Sequence, residues 1–123
     1  MNQLVLSIGS NSNDKTAQVE HCISWLKSTL SRPVCSSVYT TQALNGKDPD
    51  YLNAVLKAEC DGEYECMRAT FKQYEASCGR TPQSKLEGNI PIDIDIVLWN
   101  GEVIRENDFS RLFFQKGWKQ ITE

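Results

Sequence analysis

Between residues 92 and 98 the chain reads Ile-Asp-Ile-Asp-Ile-Val-Leu, and this alternation constrains the fold more tightly than any other stretch. A period of two is the period of a β-strand, so the aliphatic side chains point to one face and Asp93 and Asp95 to the other. Aspartate is depleted in strands, because its carboxylate competes for backbone hydrogen bonds and loses hydration in a packed sheet. Two of them at i and i+2 therefore need a reason. Their α-carbons stand roughly 6.5–7 Å apart, close enough for both side chains to converge on one cation. Hard oxygen ligands of this kind suit magnesium, which keeps several waters and completes its shell with substrate phosphates. The competing reading is that the pair solvates the open face of an antiparallel sheet. Spacing alone leaves both open.

The rest of the chain supplies partners for this strand. Leu4-Val5-Leu6-Ser7-Ile8 is a β-rich run that stops at a cluster of turn and cap residues, Gly9-Ser10-Asn11-Ser12-Asn13. From Asp14 onward, Val19, Cys22, Ile23, Leu26 and Leu30 recur at helical spacing, and Pro33 is expected to end that helix. Residues 34–42 read as one strand, 45–50 as a polar connection and 51–60 as a third strand. Asp61 can cap a second helix striped by Met67, Phe71, Tyr74 and Cys78 and stopped at Gly79. Residues 81–89, with Pro82 and Gly88, read as a mobile loop. Asn100-Gly101 is a hairpin turn into a short strand at 102–104. The order β-α-β-β-α-β with a terminal hairpin predicts an α+β, ferredoxin-like sandwich, an antiparallel sheet with both helices on one face. At 123 residues, two fifths of them hydrophobic, we expect a single domain over 1–123.

Composition narrows the partners. A net charge of −3 lacks the cationic field that nucleic acid recruits. No apolar run approaches the roughly 18–20 residues that span a bilayer, and Met1-Asn2-Gln3 lacks the basic start of a secretory signal. A soluble, cytoplasmic protein, monomeric or weakly dimeric, is expected. The cysteines at 22, 35, 60, 66 and 78 are odd in number and include no Cys-x-x-Cys, so they read as reduced, mostly buried thiols. Taken singly, other residues have plain readings too. Tyr51 can be a sheet-edge aromatic, Arg80 a complement to a helix dipole, and Glu75 a solvated helix residue. Phe113, Phe114 and Trp118 can be a C-terminal anchor closing the core.

Four segments in order change that balance. Leu6-Ser7-Ile8-Gly9-Ser10-Asn11, Tyr51-Leu52-Asn53-Ala54, Glu75 with Gly79-Arg80, and Ile92-Asp93-Ile94-Asp95-Ile96 together resemble the 6-hydroxymethyl-7,8-dihydropterin pyrophosphokinases. The resemblance implies transfer of pyrophosphate from ATP to the hydroxymethyl group of a reduced pterin, with release of AMP, in folate synthesis. It implies two magnesium ions held by Asp93 and Asp95. Tyr51 and Phe113 would stack on the pterin, Asn53 would bond its polar edge, Thr41 and Leu44 would lie beside it, and Asn11 would order the pocket. Glu75, Arg80 and Arg111 fall on the ATP side, with Arg80 and Arg111 as the catalytic cations.

The departures concern that ATP side. Pro82, Glu87 and Ile90 stand where the family carries basic, aromatic and arginine side chains that close over the phosphates. A histidine-containing segment expected between Ile104 and Arg111 is missing, and the chain ends soon after Trp118 where family members continue. The chain thus reads as a divergent, truncated member, either a weak pyrophosphokinase or a non-catalytic pterin- or nucleotide-binding module with a degenerate ATP site.

Overall fold

A computed structural model describes residues 1–122. Its central strand is β1 (Asn2–Ser10), flanked by β4 (Tyr51–Cys60) on one side and β5 (Asp93–Trp99) on the other, both antiparallel to it. β2 (Ser31–Cys35) and β3 (Tyr39–Thr41) pair with successive parts of β4, and β6 (Glu102–Val103) closes the other edge against β5. Because β1 and β2 are both antiparallel to β4, they run parallel to each other with β4 between them. That is the split βαβ unit expected for a ferredoxin-like α+β fold.

The period-two patterns set the two faces. Leu4, Leu6 and Ile8 of β1, Leu56 and Ala58 of β4, and Ile94 and Ile96 of β5 all point to one side. There they meet Val19, Cys22 and Leu26 of α1 (Lys15–Thr29) and Met67 and Phe71 of α2 (Tyr64–Ser77). The helices also touch each other, with Trp25 stacked on Tyr74 at 4.3 Å between ring centroids. The alternate residues Val5, Val55 and Val97 face the other way, against Phe114 of α5 (Leu112–Thr122). A bulge helps here: Leu6 pairs with Ile96 but Val5 with Leu98, so Val97 and Leu98 both join this second core.

Several expectations need correction. Pro33 does not end the first helix, which stops at Thr29; it lies in edge strand β2 where the register shifts, and Arg32 takes φ 50° beside it. An edge bulge is where a missing N–H costs least. The strand over 34–42 is broken after Cys35, because Ser36 uses its Oγ to accept the Val55 N–H at 2.9 Å. Residues 81–89 are no plain loop: α3 (Pro82–Leu86) is closed by a capping box in which Thr81 and Ser84 each accept the other's backbone N–H. α1 and α2 share one sheet face as expected, and the chain beyond β6 adds α4 (Glu106–Phe109) and α5, the latter on the other face. The cysteines are all free, but only Cys22 and Cys60 are buried, while Cys66 is exposed. No helix among the described residues is long and apolar enough to cross a membrane.

The seat of α5 is tight. A Cβ on Gly117 would lie 2.6 Å from Val55 Cγ2 and 2.8 Å from the Tyr39 hydroxyl. That hydroxyl donates to the Phe113 carbonyl and accepts the Gly117 N–H at 3.1 Å, which ties α5 to β3. In a free helix, Gly→Ala stabilises by about 1 kcal/mol. Here overpacking against a stiff β-branched side chain should reverse the sign, so Gly117→Ala is expected to destabilise by about 1–3 kcal/mol in urea titration. A stabilised variant would show that the helix does not sit this close.

Candidate active site

The face that carries α5 is only partly filled by it. Beyond Phe113 the sheet opens into a cavity of about 350 Å³, inside the range of about 300–1,000 Å³ typical of small-molecule sites. Its floor comes from odd-numbered residues of three adjacent strands, Ser7 and Gly9, Tyr51 and Asn53, Asp93 and Asp95. Strand register sets them side by side: Gly9 lies between Asn53 and Asp93, and Ser7 lies beside Asp95. One end of the cavity is thus aromatic and amide-bearing, the other acidic.

At the first end, buried Asn53 donates from Nδ2 to Thr41 Oγ1 at 2.6 Å, which fixes the amide plane. Gly9 keeps the floor flat, since a Cβ there would come within 3.1 Å of Asn53 Oδ1. Tyr51 and Phe113 line the walls, and Leu44 is an exposed apolar residue at the opening. Burial, together with the charge of Asp93, pushes the Tyr51 hydroxyl up, so it stays a neutral phenol. Asn11 holds the approach to β5: its Nδ2 donates to the Gly88 carbonyl at 2.8 Å and its Oδ1 accepts the Ile90 N–H at 2.6 Å.

At the acidic end three carboxylates meet two principal cations. Glu75 of α2 is buried, and its Oε2 accepts the Ile94 N–H at 2.7 Å, between the two aspartates along β5. Arg80 Nη1 sits 3.2 Å from Glu75 and closes on Asp93, while Lys72 Nζ lies 3.2 Å from Glu75 and 3.4 Å from Asp95. Arg105 comes within 3.9 Å of Asp95 and donates to Asp108. Burial and the neighbouring Asp93 charge push Asp95 up to about 7. Burial acts on Asp93 in the same sense, but hydrogen bonds from Asp95 and Arg80 outweigh it and hold Asp93 below the usual range. The two titrate as a pair. Crowded, desolvated carboxylates with hard oxygen donors on one strand fit a divalent cation, which would relieve their repulsion. Among the described residues no third His, Cys, Asp or Glu completes a cage, as suits an ion that takes the remaining ligands from water and phosphate.

Of the residues singled out in the sequence, Thr41, Leu44, Tyr51, Asn53, Phe113, Asp93 and Asp95 line this one cavity. Glu75 and Arg80 stand behind its acidic end, lining a smaller cavity of about 260 Å³ with Lys72, Thr81 and Lys85. Arg111 is exposed between α4 and α5 and lines neither. Arg105 and Lys72 were not singled out. Lys72 had a faint signal, its i, i+3 spacing to Glu75 on α2, and Arg105 had none, because it follows the last strand without a pattern. Phe113 and Phe114 part company: Phe114 is fully buried between α5 and the sheet, and only Phe113 reaches the cavity.

Fold and site define an α+β sandwich with a small-molecule cleft on its sheet, acidic at one end and aromatic at the other. A sequence profile described as 7,8-dihydro-6-hydroxymethylpterin-pyrophosphokinase (HPPK) matches residues 5–123. The chain is also 33% identical over 106 residues to a 2-amino-4-hydroxy-6-hydroxymethyldihydropteridine pyrophosphokinase of Aquifex aeolicus (strain VF5), an overlap covering 85% of this chain and 66% of that protein, just under two thirds. The chain belongs to the 7,8-dihydro-6-hydroxymethylpterin-pyrophosphokinase family.

The Asp95 shift has a consequence for stability without divalent cations. An unfolded aspartate titrates near 4 and folded Asp95 near 7, so between those values the folded state binds more protons. Stability is then greatest at the acid end of that window and falls as pH rises through it. Thermal melts in EDTA should lose several degrees between pH 5 and pH 7.5, and Asp95→Asn should flatten the trend. A parent protein more stable at pH 7.5 would contradict the assignment.

Proposed function

We propose that this chain transfers pyrophosphate from ATP to the hydroxymethyl oxygen of 6-hydroxymethyl-7,8-dihydropterin, releasing AMP, as a step of folate biosynthesis. One observation carries the reading: the aromatic, amide-bearing slot and the paired carboxylates open into the same cavity, side by side across β1. A reduced pterin is flat with a polar edge. Tyr51 and Phe113 offer it ring faces, and Asn53, whose Nδ2 donates to Thr41 Oγ1 at 2.6 Å and more weakly to the Tyr51 carbonyl at 3.4 Å, offers its Oδ1 as an acceptor on a fixed plane. The slot thereby directs the hydroxymethyl group toward Asp93 and Asp95, where ATP phosphates would lie.

Asp93 and Asp95 are assigned as the holders of two magnesium ions. When bound, magnesium supplies charge neutralisation and in-line orientation of the phosphates. Arg80 already stands at Asp93 and is assigned to the phosphate side. Arg105, at Asp95, joins it, whereas Arg111 reaches phosphate only by a movement of its loop. Glu75 orients Arg80 rather than touching substrate. Both substrates are small and water-soluble, which goes with a cytoplasmic protein working as a monomer or weak dimer.

A second reading has its own support. At the positions where the family carries phosphate-closing side chains, Ile90 is buried in the structure, Glu87 is an exposed acid, and Pro82 opens α3. None is a cation. A protein that binds a pterin or nucleotide without transfer would look like this too.

Incubation with ATP, magnesium and the pterin separates the two, since AMP above a no-enzyme control supports transfer and its absence at high protein concentration supports the module. If transfer is the activity, Asp95→Ala should lower turnover by about two orders of magnitude or more. Tyr51→Ala should weaken pterin binding roughly tenfold by calorimetry under either reading; unchanged binding would remove the slot from both.

A further inference from the structure

Lys72, like Arg80, joins the two cavities. It projects from α2 one turn before Glu75, touches Asp95 at the acidic end of the larger cavity, and lines the smaller cavity together with Arg80 and Lys85. Its ammonium is shared among four oxygens and committed to none: Glu75 Oε2 at 3.2 Å, Glu75 Oε1 at 3.3 Å, Asp95 Oδ1 at 3.4 Å and the Ile94 carbonyl at 3.5 Å. All four are longer than the roughly 2.7–2.9 Å of a tight charge-assisted hydrogen bond. Arg80, by contrast, closes firmly on Asp93.

A purely structural duty would be to neutralise Glu75, yet Glu75 already has Arg80 at 3.2 Å and the Ile94 N–H at 2.7 Å. The Lys72 side chain also remains 39% exposed, which a group serving only the buried carboxylate has no need to be. Meanwhile positions 82, 87 and 90 present no positive charge. We infer that Lys72 is a phosphate-contacting residue of the transfer site, adding from α2 to the positive charge that Lys85 alone supplies within the 81–90 segment. The inference rests on the reading of the site as one for ATP phosphates. Once Asp95 turns its oxygens to a divalent cation, Lys72 keeps Glu75 as its anchor and has N–H donors left for a phosphate oxygen in the smaller cavity.

The test measures binding as well as turnover. Parent protein, Lys72→Met, Lys72→Gln and Lys72→Arg are titrated by calorimetry with α,β-methylene-ATP plus magnesium, and separately with the pterin; AMP release is measured in parallel. Lys72→Met and Lys72→Gln should bind the analogue roughly ten- to a hundredfold more weakly, with pterin affinity within about twofold as the control for an intact fold. Lys72→Arg should recover most of the loss. Analogue affinity within about twofold of parent in both neutral variants overturns the inference, and a parent that still makes AMP then leaves the transfer reading standing. If the parent makes no AMP but the neutral variants lose the analogue, the role of Lys72 holds and transfer is what falls. A parent that binds no analogue overturns both.

Discussion

The buried carboxylate of Glu75 is the joint on which the site depends. Its Oε2 accepts the Ile94 N–H, which pins α2 to β5 at the residue between the two aspartates. Its charge then fixes Arg80 on one side and Lys72 on the other, each of which reaches on to one aspartate. An uncompensated carboxylate at that depth would cost several kcal/mol. Burial does push Glu75 upward, and the backbone N–H, Lys72 and Arg80 pull against it. The same contacts that make the burial tolerable therefore set the geometry of the acidic end. Secondary structure alone would place Asp93 and Asp95 on one face; Glu75 determines what surrounds them.

The two ends of the cavity are prepared differently. The slot is finished before any ligand arrives: Asn53 is locked on Thr41, Gly9 keeps the floor clear, and Tyr51 and Phe113 stand on separate elements held by β4 and by the α5 contact with Tyr39. A rigid flat slot keeps the ordering cost of binding low. The acidic end instead holds internal ion pairs that any bound ion would have to replace. Loss of those pairs offsets part of any phosphate interaction, so affinity there depends on what the released ammonium and guanidinium groups do next.

How far the chain could be read in advance follows the same division. The alternation at 92–96 and the matching run in β1 revealed strands, faces and the paired acids, because period two is a local property; it fails at Leu98, which the bulge turns to the face of Val97. The slot residues were legible through resemblance, and Tyr51 alone would have passed for a sheet-edge aromatic. What escaped notice was set by distance contacts. The break after Cys35 comes from Ser36 meeting Val55 across strands, α5 from the fit of Gly117 onto Val55, and Arg105 from a chain direction that no spacing encodes. The α3 helix is a different case: Thr81-Pro82-Gln83-Ser84 carries a capping signal that the nearby Pro82 and Gly88 disguised as loop.

The α3 helix also alters the meaning of the substitutions around it. Ile90 is fastened by Asn11 and buried, so it closes the core end of the segment, and the capping box at Thr81 stiffens the other end. A segment pinned at both ends has less freedom to sweep across the phosphates than an unstructured loop of equal length. Cationic closure from above is thus weakened twice, by the residues present and by the way they are held. Apart from Lys85 on α3, which lines the smaller cavity, the cations lie below, on α2, just after it and after β6, and these three are within reach of the aspartates. An anion bound at this end would meet Lys85 as the segment's one cation and draw the rest of its positive charge from that lower tier.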